Sequence, residues 1–180
     1  MDITNIIEPE IICLDLKADS KQAVFEELAE MLDSAGKLSS KSDFLVDLWK
    51  RETIGNTGFD DGIAIPHAKS SAVAKPAVAV GVSRSGIDYG ADGGELSDVF
   101  FMLASPDNSD DHHIEVLAQI STRLIEDGFV TKLKAAESVE EAQQLFIEAN
   151  SESFDSYASS HHEVYSEPLS PWAQSLNRLK

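Results

Sequence analysis

The side chains best suited to chemistry near neutral pH are five histidines, and three of them, His67, His112 and His113, flank loops. His67 follows the short apolar run Ile63-Ala64-Ile65-Pro66, and His112 and His113 open an apolar-periodic stretch behind a polar loop. Strand ends and helix starts are where α/β proteins gather their sites. A neutral imidazole is a nucleophile or a proton carrier, and a lone one is as readily a hydrogen-bonded structural residue. His161 and His162 lie apart from these, in a serine-rich C-terminal stretch.

Two other chemistries are disfavoured by spacing. Asp110, Asp111, His112, His113 and Glu115 have the side chains of metal ligands, but adjacent helical residues point about 100° apart and do not share one ion easily. Neither H-x-x-x-H nor H-E-x-x-H occurs. There is no G-x-S-x-G, and Cys13, the single cysteine, sits inside the apolar run Ile11-Ile12-Cys13-Leu14 and reads as a core residue. No metal and no cofactor is expected.

The elements that must position these residues follow from periodicity. Residues 20–35 predict an amphipathic helix with Phe25, Leu28, Ala29 and Leu32 inward, Asp19 or Ser20 as cap and Gly36 just past its end. Residues 43–52 predict a second, capped by Ser42, with Phe44, Leu45, Leu48 and Trp49 as its buried stripe and Arg51-Glu52 at its end. Three glycines in 53–62 predict a loop. Ile63–Pro66 is a short strand that stops at the proline or lies at a sheet edge. Residues 77–83 and 98–104 predict buried strands, the second apolar on both faces, with a short segment Ile87–Tyr89 and the turn GADGG between them. A helix over 111–127 is expected to bury Ile114, Leu117, Ala118, Ser121, Leu124 and Ile125 and to end at Gly128. Ser138 and Glu141 form a capping box that opens a last helix to about 149. Alternating strands and helices predict one α/β layered domain, a central mixed sheet with helices on both faces, over residues 1–150. Residues 151–180 predict a flexible linker or tail ending in a short amphipathic helix, with Ser170-Pro171 at its start and Trp172, Leu176 and Leu179 on one face.

Composition narrows the partners. The 180 residues carry a net charge of −18 and are 42% hydrophobic, the balance of a globular chain. Such acidity argues against nucleic-acid binding, which needs clustered Lys and Arg, and favours a basic partner. No apolar run approaches the ~20 residues of a membrane helix, so no direct membrane insertion is expected. The N-terminus lacks the basic start and apolar core of a signal peptide. With a single cysteine, a cytoplasmic location is expected.

The stretch GFDDGIAIPHAKSSAV, residues 58–73, has Arg51-Glu52 upstream, a D-G turn at Asp92-Gly93 and HIEVLAQIS from His113 downstream. Together these resemble the enzyme IIA domain of the fructose/mannitol class of the bacterial phosphoenolpyruvate-dependent sugar phosphotransferase system, over residues 1–149. The resemblance implies that His67 accepts a phosphoryl group from the phosphocarrier HPr and donates it to a cysteine of enzyme IIB. It implies that Arg51 matches the family's phosphate-binding arginine and His113 its second histidine, and that the loop 55–62 brings backbone amides near. A backbone carbonyl is expected to hold the other ring nitrogen of His67 and fix its tautomer. Glu52 is expected to pair with a neighbour or orient that loop. His67-Ala68-Lys69-Ser70 is closer to fructose-type members than to the nitrogen-related regulatory branch, the alternative in which phosphorylation serves as a signal. The chain departs from the family at Asp60, where Gly or Ala is usual, and at Ala68. An inward Asp60 carboxylate would oppose a phosphate, and it is expected to point outward.

Overall fold

The computed structural model describes residues 3–91, 93–108 and 110–151. Its elements are β1 (Ile12–Cys13), α1 (Lys21–Ser34), α2 (Lys41–Ile54), β2 (Ile63–Ala64), β3 (His67–Ser70), β4 (Ala77–Ile87), β5 (Ser97–Pro106), α3 (Asp110–Ile125), α4 (Phe129–Ala135) and α5 (Val139–Ser151). The expected tail from residue 152, and the side chains of Asp110, Asp111 and His112, lie outside what is described.

β4 and β5 are apolar on both faces and pair antiparallel at the centre of the sheet, Val80 opposite Phe101. Strands of that composition must be covered on both sides. Val24, Phe25 and Leu28 of α1 with Phe44 and Leu48 of α2 pack over Ala77, Ala79, Phe100 and Met102. On the other face Val116, Leu117 and Ile120 of α3, Phe129 and Leu133 of α4 and Phe146 of α5 meet Val78, Val80, Val99, Phe101 and Leu103. The parity of strand residues therefore sorts the core into two layers. Burying each large apolar side chain contributes ~1.5–3 kcal/mol, so both helical layers are needed. The sheet is mixed, as expected: β1 runs parallel to β4, and β2 and β3 run parallel to β5.

The sheet edge that carries His67 differs from its expected form. Ile63 pairs with Val99, Ala64 with Phe100, His67 with Leu103 and Ser70 with Pro106, one unbroken register. β2 and β3 are thus one edge strand interrupted at Ile65-Pro66, and His67 restarts it rather than following its end. Pro66 has no N–H to give, but its carbonyl accepts from Leu103 N at 2.9 Å, which an edge position permits.

Four further differences have local causes. α2 begins two residues early, because Ser40 accepts from Asp43 N at 3.2 Å and is the cap in place of Ser42. β4 runs past residue 83 to Ile87 through an irregularity, taking in only the first residue of the segment expected at Ile87–Tyr89. α3 ends at Ile125, and Gly128, at φ 78°, starts α4, an unexpected helix too short to show a period. The buried stripe of α3 is rotated from the expected one. It holds His113, Val116, Leu117, Ile120 and Arg123, and leaves Ile114 and Ile125 more than 40% exposed. Other caps hold as expected: Ser20 accepts from Ala23 N at 3.1 Å, and Ser138 from Glu141 N at 3.1 Å. Cys13 is half-buried beside the first core layer, and burial pushes its thiol pKa up, as suits a structural residue. Among the described residues no helix is long and apolar enough to cross a membrane.

Candidate active site

Three elements converge on His67. The edge-strand break presents it, the last turn of α2 presents Arg51 and the first turn of α3 presents His113. The loop between α2 and β2 is a small hairpin. Gly58 bridges Ala64, Phe59 N donates to Ile63 O at 2.7 Å, and Ile65 N donates to Thr57 O at 2.9 Å. This folds Ile65 back on the loop and leaves its carbonyl facing the next imidazole.

His67 is 2% exposed and held at both nitrogens. Nδ1 lies 2.8 Å from the Ile65 carbonyl, and Arg51 Nε donates to Nε2 at 3.2 Å. A carbonyl only accepts, so Nδ1 carries the proton and Nε2 presents its lone pair to the guanidinium. Burial lowers the His67 pKa to about 4; the Ile65 carbonyl works against that shift and the Arg51 charge adds to it. The ring is therefore neutral at pH 7, with a fixed tautomer and one available lone pair. Arg51 is itself held by Nη1 on the Gly55 carbonyl at 3.0 Å. His113 is 8% exposed, with Nδ1 2.9 Å from Ser105 Oγ and its ring centroid 5.4 Å from that of His67.

The structure thus brings together His67, Arg51 and His113. Asp60 is exposed at the hairpin tip, with its carboxylate against Gly93. Arg51, not Asp60, is the charged group that bears on His67. Glu52 is buried and binds the loop, as expected of it. Among the described residues no three His, Cys, Asp or Glu side chains gather as around a metal ion. The Ile65 carbonyl is the backbone acceptor expected on the second ring nitrogen of His67, though the sequence did not say which carbonyl it would be, and sequence reasoning missed Ser105, Thr57, Tyr89 and Lys21. The identity of a backbone acceptor has no sequence signal, and single Ser, Thr or Lys residues carry none without a fold to place them.

Residues 5–149 match the family model described as "Phosphoenolpyruvate-dependent sugar phosphotransferase system, EIIA 2". The chain is 36% identical over 138 residues to the PTS system fructose-specific EIIABC component of Bacillus subtilis, a match covering 77% of this chain and 22% of that protein. It therefore spans about a fifth of that relative's length. It is 33% identical over 147 residues to the PTS system fructose-specific EIIA component of Haloferax volcanii, covering 82% of this chain and 96% of that one. Among solved structures, the nitrogen regulatory protein IIA-Ntr from Neisseria meningitidis superposes with a TM-score of 0.73 at 29% identity, covering 80% of this chain and 98% of that one.

Proposed function

Because the chain belongs to the EIIA 2 family of the phosphoenolpyruvate-dependent sugar phosphotransferase system, a family of phosphoryl-relay components, we propose that His67 is its phosphoryl acceptor, with Nε2 the attacking atom. The observation that supports this is the pair of contacts on one ring: Nδ1–H fixed on the Ile65 carbonyl, and the Nε2 lone pair facing Arg51. The donor is the phosphohistidine of the carrier HPr. Its P–N bond breaks as the Nε2–P bond forms, and Nδ1 keeps its proton throughout. In the second step a cysteine thiolate of enzyme IIB attacks the same phosphorus, forming P–S and returning the lone pair to Nε2. Such transfers need in-line positioning and neutralised equatorial oxygens more than proton transfer. Arg51 supplies a guanidinium that shifts from Nε2 to the incoming phosphoryl oxygens. His113, in the first turn of α3, adds an imidazole and stands where helix amides favour an anion.

A fructose-type substrate for the whole transport system is favoured by the two fructose-specific relatives. The match ending at residue 149 supports a phosphotransferase unit over 1–150 and a linker or tail over 151–180. The cytoplasm is where HPr and enzyme IIB are met. Incubation with labelled phosphoenolpyruvate, enzyme I and HPr tests the reading: acid-labile, base-stable label appears on the chain and is absent from His67→Gln. Full labelling of that variant overturns the assignment.

A second reading is favoured by the likeness to the Neisseria nitrogen regulatory protein: a regulatory module of the nitrogen-related branch, signalling by its phosphorylation state. Mixing the phosphorylated chain with a fructose-type enzyme IIB separates the two. Transfer to the cysteine supports the transport role, and retention on His67 supports the regulatory one.

A further inference from the structure

Beside the site, a buried polar chain runs from α1 to the loop that carries His67. Lys21, the first residue of α1, places its ammonium 2.8 Å from Glu52 Oε1 and 4.3 Å from the ring centroid of Tyr89. The Glu52 side chain is 3% exposed. Its Oε1 also accepts Thr57 N at 2.9 Å, and its Oε2 accepts the Thr57 hydroxyl at 2.7 Å. With that proton committed, the Tyr89 hydroxyl, 2.7 Å away, must donate to Thr57 Oγ1. Burial, then the Glu52 charge, raises the Tyr89 pKa, so the phenol keeps the proton it donates. Every oxygen of Glu52 is used as an acceptor. An amide in its place would set a donor against Thr57 or Lys21.

Thr57 is where this chain meets the site. Its carbonyl accepts Ile65 N at 2.9 Å, and the Ile65 carbonyl holds His67 Nδ1. Two residues before it, the Gly55 carbonyl holds Arg51 Nη1, and Arg51 adjoins Glu52 on α2. The contacts on both nitrogens of His67 therefore trace back to the Glu52–Thr57 pair, one through Ile65 and the other through Gly55 and Arg51. We propose that Glu52 and Thr57, braced by Lys21 and Tyr89, are positioning residues for phosphoryl transfer, fixing the tautomer of His67 and the seat of Arg51 together. A clamp of that kind suits a reaction that tolerates little misalignment. The inference rests on His67 being the phosphoryl acceptor.

Thr57→Val tests it, because the substitution keeps the shape and backbone of Thr57 and removes only the hydroxyl. Nitrogen-15 spectra of the unphosphorylated protein at pH 7 report the His67 tautomer, and stopped-flow mixing with phosphorylated HPr reports uptake. Wild type is expected to show a single Nδ1–H tautomer. Thr57→Val is expected to show both tautomers in exchange and uptake slowed about tenfold or more, with Thr57→Ser restoring both. Glu52→Gln should match Thr57→Val. If Thr57→Val and Glu52→Gln keep the single tautomer and the wild-type rate while only their melting temperatures fall, the network is merely structural and the inference is overturned. A wild-type chain that takes no phosphoryl group defeats the functional reading instead, and the tautomer spectra still decide whether Glu52 and Thr57 set the ring.

Discussion

A histidine held neutral by burial makes both stability and reactivity depend on pH in a direction that can be worked out. The unfolded chain protonates His67 near the ordinary value of about 6.5, while the folded pKa is lowered to about 4. Above pH 6.5 the ring is neutral in both states and contributes no pH dependence. Below it the unfolded chain gains a proton that the folded one refuses, so stability falls until the folded pKa is reached, by about 3 kcal/mol at pH 4. Urea unfolding from pH 7 to 4 should therefore cost wild type more stability than His67→Gln, whose side chain does not titrate. Equal losses would place the His67 pKa near its usual value. Phosphoryl uptake should likewise stay flat from pH 8 down to about 5, where an ordinary histidine would be mostly protonated and inert. The residues around the ring act differently. Arg51→Gln should slow uptake about tenfold or more with little change in melting temperature, since Arg51 is only half-buried and bonds a loop carbonyl. His113→Ala should slow uptake too, and should also lose about 1 kcal/mol of stability, because it strips the buried Ser105 hydroxyl of a partner. Measuring both rates and both melting temperatures checks the pair. His67, Arg51 and His113 were legible in the sequence through the motif around them. A tautomer fixed by a backbone carbonyl was expected too, but which carbonyl, which side-chain contacts and how deep the burial were not legible, because Ile65 and Ser105 are brought near only by the fold.

The hairpin between α2 and β2 shows what happens one scale up. Its glycines announced a loop, and their spacing gave no hint that Gly58 and Ala64 would bridge across it. At its tip Asp61 and Gly62 are both left-handed, at φ 69° and 77°. A Cβ on Gly62 would lie 2.6 Å from Asp98 Oδ1, so Gly62→Ala meets both strain and a clash. It should cost about 1–2 kcal/mol and lower the melting temperature by several degrees. Asp60→Gly at the same tip should leave the fold intact. It should also move the equilibrium between phospho-His67 and the phosphocarrier by less than about threefold, under the tenfold that one pKa unit represents. A tenfold shift toward phospho-His67 would mean that its carboxylate reaches the site. The edge strand illustrates why such details escape the sequence. Pro66 was a sound reason to expect a strand end, but at Pro66 only its carbonyl is needed, to accept Leu103 N from β5, so the register continues past it. α4 escaped because seven residues show less than two turns of period, and the buried face of α3 was misjudged because His113 and Arg123 occupy positions that an apolar pattern does not count.

At the scale of the whole molecule the α/β architecture, a sheet covered by helices on both faces, was readable, because strands apolar on both faces demand two helical layers. On the proposed function, the net charge of −18 bears on how a phosphocarrier would arrive. Residues 151–180 contribute Glu152, Asp155, Glu163 and Glu167 against Arg178 and Lys180, so most of the excess negative charge belongs to residues 1–150. A carrier presenting basic residues around its own phosphohistidine is drawn to such a surface, and exposed charges are screened over ~8 Å at physiological ionic strength. Association with phosphorylated HPr should therefore slow as salt rises, by tenfold or more between low and high ionic strength on the scale of steered encounters. Truncation after Asn150 separates steering by the domain from steering by the tail. Among the described residues Phe146 is the last buried side chain of either layer, and the shortened chain is expected to fold, label at His67 and keep nearly the full salt slope. If truncation unfolds the protein or abolishes labelling, Trp172, Leu176 and Leu179 belong to the domain. If labelling survives while the rate becomes flat in salt, the tail, not the domain, recruits the carrier.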